Sequence, residues 1–145
     1  GRCDLGFIPR EPRVSGVASR AVCEDELVAV VPASSELARL DEVPLEELAA
    51  GQFILLERGS DDEITPLFRR AGVSLAPMLS TWDDYAIMAM VERGLGSSVL
   101  PALILRRCQF DVAVRPIEGR PHRQIGAIFR ANDVSLAASK FLEYL

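Results

Sequence analysis

The chain has 145 residues, 49% of them hydrophobic and 26% charged; that is enough apolar material for a real core and too much for a disordered segment. Its net charge is −5, and of its 16 basic residues only Lys140 is a lysine, the arginines being scattered rather than striped. The segment therefore has no electrostatic case for gripping nucleic acid, no run approaching the ~20 apolar residues that span a bilayer, and no stretch that reads as a secretory signal.

Taken in order, residues 4–8 read as a short strand stopped by Pro9. A polar connector leads to a second strand at 26–31, Glu-Leu-Val-Ala-Val-Val, ended by Pro32. Residues 34–38 make a helical turn at most. Residues 44–50 read as a short helix, with Pro44 suited to its first turn and Gly51 just past its end. The unbroken apolar run Phe53-Ile54-Leu55-Leu56 reads as a buried strand. Ser60 and Glu63 have the spacing of a capping box, which opens a helix ending at Ala71 before Gly72. Pro66 either kinks that helix or, with Thr65 as the cap, makes it begin late. Residues 76–80 read as a strand.

Residues 81–101 are the most informative stretch. Thr81 is expected to cap a helix whose first turn holds Asp83 and Asp84, where the helix dipole favours negative charge. Ile87, Met88, Met90 and Val91 give it a wide apolar face. Gly94 is placed to end it in a left-handed conformation, Leu95 is expected to pack, and Gly96 to allow a close approach. Val99-Leu100 continue as a strand that Pro101 stops. A short helix at 102–107, strands at 112–117 and 123–130, and a closing amphipathic helix at 135–145 complete the pattern. This alternation predicts an open α/β sheet.

No catalytic constellation is legible. There is neither a Gly-x-Ser-x-Gly elbow nor a phosphate-cradling loop with lysine, and Gly94-Leu95-Gly96 lacks a third glycine and follows a helix rather than a strand. Cys3, Cys23 and Cys108 are widely spaced, with only His122 to join them, which argues against a metal site; they read as reduced, mostly buried thiols of a cytoplasmic protein. Neither enzyme activity nor a cofactor is expected.

The order helix, Gly-Leu-Gly, strand, proline over 90–101 resembles the effector-binding domain of LysR-type transcriptional regulators. Residues 1–8 look like that family's G-x-x-D-hydrophobic strand, 26–33 like its L-x-x-V-x-P strand, and 43–54 like its L-x-x-L…F-I segment. The resemblance covers essentially the whole chain. It implies a two-lobed α/β fold of the type 2 periplasmic-binding-protein kind, with residues 31–105 as a complete second lobe and residues 1–30 and 106–145 as parts of an incomplete first lobe. It further implies a small-molecule effector, a homodimer or homotetramer, a cytoplasmic location without membrane contact, and DNA binding only through an N-terminal winged helix-turn-helix outside this chain. A solute-binding receptor of a transporter with the same fold is the alternative.

By that resemblance the effector lies at the carboxyl ends of strands, where open α/β sheets bind ligands. Two helix starts should face it, one at Gly59-Ser60 and one at Ser80-Thr81-Trp82, offering free N–H groups to a carboxylate or phosphate. Thr81 matches a position with which family members hold the effector, and reads equally as a plain cap. Trp82 either walls the cleft or covers the helix end. Asp61, Asp62, Asp83 and Asp84 make both starts acidic, which weakens the anion argument and favours a neutral or cationic effector. Pro9 and Arg10 follow the first strand, where Arg10 either pairs with an acidic effector or is solvated. Gly96 is expected to serve backbone geometry, and His122 to be an exposed loop residue.

Overall fold

A computed structural model of the protein describes residues 3–9, 12, 14–59 and 62–145. Along the chain lie β1 (Leu5–Ile8), β2 (Val17–Pro32), a 3-10 turn (Glu36–Arg39), α1 (Leu45–Ala50), β3 (Ile54–Leu56), α2 (Ile64–Arg70) and β4 (Leu79–Thr81). They are followed by α3 (Asp84–Glu92), β5 (Ser98–Pro101), α4 (Ala102–Leu105), β6 (Val112–Pro116), β7 (His122–Arg130) and α5 (Leu136–Glu143). Two compact units result, one of Gly1–Asp25 with His122–Leu145, the other of Glu26–Pro121. Among the described residues no helix is long and apolar enough to cross a membrane.

In the first unit β1 pairs antiparallel with β7, from Leu5 opposite Phe129 to Ile8 opposite Gly126, and β7 is hydrogen-bonded in turn to β2. The Arg123 guanidinium reaches Asp25 Oδ2 through both Nε and Nη2, at 3.0 and 2.9 Å. Ser135 caps α5 by accepting from the Ala138 N–H and donates its own hydroxyl to Asp4. Arg20 donates to the Leu142 carbonyl at the far end of that helix.

The second unit holds most of the core. Residues 26–32 of β2 run between β5, with Val28 opposite Leu100, and β6, with Val28 opposite Pro116, both antiparallel. A strand buried on both faces reads as an unbroken apolar run, and Val28-Ala29-Val30-Val31, all four buried, is one. Nearby, β3 and β4 pair in parallel, with Leu56 opposite Thr81. Phe53 and Phe68, both fully buried, meet edge to face with ring centroids 5.3 Å apart, an arrangement the ring quadrupoles favour. Ile87, Met88 and Val91 of α3 belong to the same buried core as Leu48, Ile54 and Leu100.

Several local expectations are corrected. The stretch read as a polar connector is largely strand, because β2 begins at Val17 and not at 26; its early residues are exposed or half-buried, so no apolar run marks them, and the pairing with β7 makes them extended. The helix expected from Ser60 begins at Ile64, with the Asp62 carboxylate accepting from the N–H groups of Ile64 and Thr65. Pro66 therefore falls in the first turn, where its missing N–H costs nothing. Asp83, not Thr81, caps α3, accepting from Tyr85 and Ala86. Thr81 ends β4 and accepts from the Asp83 N–H. Leu95 is exposed rather than packed, as are Cys3 and Cys23, while Cys108 is half-buried against Met88. His122 is exposed but opens β7 rather than lying in a loop.

Candidate functional site

The parallel pair β3 and β4 ends at one edge of the second unit, where their chains leave together. The Glu57 N–H donates to the Thr81 carbonyl at 2.9 Å, extending the ladder by one bond. The Ser80 hydroxyl donates to Glu57 Oε2 at 2.9 Å, holding that carboxylate beside β4. The next residue, Arg58, donates through Nη2 to both oxygens of Asp84, at 3.1 and 3.3 Å. This joins the end of β3 to the first turn of α3.

Around these groups opens a concavity of about 740 Å³, lined by Glu57, Arg58, Gly59, Ser80, Thr81 and Trp82. A second of about 420 Å³ shares Glu57, Arg58, Gly59 and Ser80 and adds Asp62 with an apolar wall from Leu55, Pro77, Met78 and Leu79. Both volumes fall within the ~300–1,000 Å³ usual for small-molecule sites. The electrostatics are acidic but largely satisfied. Asp62 and Asp83 face the free N–H groups of helix starts, and Asp84 faces Arg58. Among the described residues the Glu57 carboxylate faces a hydroxyl and no cation.

Of the residues singled out in the sequence, Gly59, Thr81 and Trp82 come together on the larger concavity. Gly59 takes a positive φ of 57°, which lets the chain turn away from β3. Trp82 is 86% exposed. Gly96 is not on the lining; it packs its backbone against Gln52 one strand away. Pro9 lies in the first unit, in the bend after β1. Arg10 and Ser60 lie outside the described residues. Sequence reasoning placed Asp84 at the helix start but passed over Glu57 and Arg58 as site groups. The signal for these two was a charged pair directly after a buried strand, at the carboxyl end where open sheets bind ligands.

Two compact α/β units, one carrying a concavity of small-molecule size at the ends of parallel strands, have the architecture of a two-unit binding domain. The chain belongs to the LysR substrate binding domain family, whose model matches residues 1–145. It thus has the mixed α/β, type 2 periplasmic-binding-protein fold of the effector-binding domains of LysR-type regulators. The HTH-type transcriptional regulator YeiE of Escherichia coli K12 is 36% identical over 106 residues, 72% of this chain and 36% of that protein. The structure of full-length CbnR, a LysR family regulator, complexed with its target DNA is 26% identical with a TM-score of 0.86, covering 99% of this chain and 50% of that one. The Synechocystis PCC6803 CcmR regulatory domain in complex with 2-PG shares the fold at a TM-score of 0.87 and 23% identity, over 99% of this chain and 72% of that one. The chain spans well under half the length of the curated relatives it matches.

Proposed function

We propose that this chain is the sensing part of a cytoplasmic LysR-type transcriptional regulator, and that Gly59, Thr81 and Trp82 contact a small-molecule effector in the larger concavity. The observation that carries this reading is the concavity itself: a space of about 740 Å³, lined by charged, hydroxyl and indole side chains, at the carboxyl ends of two parallel strands. A CcmR regulatory domain holding 2-PG and a CbnR bound to its target DNA support it from outside. On this reading the chain catalyses nothing, and the regulator works as a homodimer or homotetramer that reads DNA through a part of the parent protein other than this one. The effector acts by binding two conformations of the regulator with different affinity, which is the only way a ligand shifts an equilibrium.

Thermal unfolding of the chain against a panel of organic acids, amino acids, amines and aromatics tests the proposal. A ligand present at about 100 times its Kd adds about 2.7 kcal/mol and raises the midpoint by several degrees. The gain is expected to disappear on Thr81→Ala. A ligand whose effect survives both Thr81→Ala and Trp82→Ala binds elsewhere and overturns the assignment of the site. A specific, salt-sensitive gel shift with this chain alone would contradict the division of labour.

A further inference from the structure

We infer that the larger concavity takes a cationic ligand, an amine- or guanidine-bearing small molecule whose charged group lies between the Glu57 carboxylate and the Trp82 indole. The inference rests on the reading of this concavity as the effector site and adds the chemical class. Four observations carry it. Trp82, the only tryptophan in the chain, stands 86% exposed on the concavity wall, and an accessible indole face attracts cations through its quadrupole. Glu57 lies on the same wall, fixed there by the Ser80 hydroxyl and by its own N–H on the Thr81 carbonyl, one residue before Trp82. The other nearby carboxylates are engaged, Asp83 and Asp62 by helix N–H groups and Asp84 by Arg58, which leaves the charge of Glu57 without a cation among the described residues. Arg58, the one cation of that lining among the described residues, is already turned to both oxygens of Asp84.

An anionic ligand would have to draw Arg58 from Asp84. It would then lie near two like charges, Asp84 and Glu57. A cation enters with every existing pair intact. The acidic balance of the site thus becomes a preference rather than an obstacle.

Because Trp82 is the sole tryptophan, its fluorescence reports on this concavity alone. Titration of the chain with putrescine, agmatine and choline, set against succinate and inorganic phosphate, is the test. A saturable change with a cationic probe is expected, weakened about tenfold or more by Glu57→Gln through loss of a charge-assisted contact. The amide of that variant still accepts from Ser80, so its melting midpoint should hold. Glu118→Gln, an exposed carboxylate outside the concavity, should leave the titration unchanged. Saturation by succinate or phosphate with no response to the cations would overturn the class while keeping the site. A cation response undiminished in Glu57→Gln would overturn the inference, and so would silence from every cationic probe at millimolar concentration. In that last case the melting screen decides separately whether the concavity binds an effector.

Discussion

The backbone of Gly96 lies directly against that of Gln52: a β-carbon at position 96 would stand 2.5 Å from the Gln52 carbonyl oxygen and 3.3 Å from Ile54 Cγ1. The same segments exchange hydrogen bonds, from the Ser97 N–H to the Gln52 carbonyl at 2.8 Å and from the Ile54 N–H to the Ser97 carbonyl at 2.9 Å. The buried Ser98 hydroxyl adds a bond to the Ile54 carbonyl at 2.7 Å. This seam fixes the position of β3 along its neighbour, and with it the point where Glu57 and Arg58 leave the sheet. Gly96 therefore acts through backbone geometry behind that edge.

Gly96→Ala is expected to destabilise the chain by about 1–3 kcal/mol, since the atom it meets is backbone and cannot rotate away. Gly94→Ala is the control: its φ is +74° and a β-carbon there meets nothing within 4 Å. Only the left-handed conformation is then penalised, at about 1 kcal/mol. Urea unfolding of both variants checks the order, and a cost at position 94 equal to or above that at 96 would show that the seam is not tight.

The cap of α3 gives a second test. Asp83 accepts from two N–H groups of the first turn, at 2.9 and 3.2 Å, whereas Thr81 accepts only from the N–H of Asp83 itself. Asp83→Ala should cost about 1 kcal/mol, and Thr81→Ala about 0.5 kcal/mol. Thr81→Ala is thus expected to remove effector binding while leaving the fold nearly unchanged. The opposite order of melting midpoints would restore Thr81 as the structural cap and weaken its assignment to the ligand.

In the first unit the Asp25 side chain is 1% exposed and that of Arg123 is 14% exposed. Arg123→Met leaves a buried carboxylate without its fork of donors, so a loss of about 3–5 kcal/mol is expected. Arg130 and Asp133 are also paired, at 3.6 Å, but stand 56% and 83% exposed; Arg130→Ala should change stability by no more than about 0.5 kcal/mol. Denaturant titrations of the two variants side by side measure the contrast, which vanishes if the Asp25 pair is reachable by water.

The elements legible in the sequence are those whose signals are local. Val28-Ala29-Val30-Val31, Phe53-Ile54-Leu55-Leu56 and Val99-Leu100 are unbroken apolar runs; the first and last are buried strand, and the middle one forms β3 from Ile54 onward, with Phe53 buried just before it and Leu55 half-buried. Gly94 ends α3 in the left-handed conformation that its place after an apolar helix implied. Ser135 caps α5 at the edge of the closing amphipathic stretch. Val17–Pro32 was only half legible, because the early part of the strand carries no apolar run and owes its extended form to β7. The late start of α2 was open to two readings, since a serine, an aspartate and a proline-bearing first turn all compete to begin one helix.

Of the candidate site, the sequence by itself determined that two chain segments, at Gly59 and at Thr81-Trp82, would emerge from strand ends, because apolar runs stopped by polar residues mark where a strand leaves its core. Which side chains meet there was decided only by the tertiary structure. Arg58 and Asp84 are 26 residues apart, and Ser80 and Glu57 are 23 apart. No periodicity joins such positions; the parallel pairing of β3 with β4 does, with Ile54 and Leu56 of β3 buried in the core while β4, exposed or half-buried throughout, is held by its backbone ladder and carries no apolar signal.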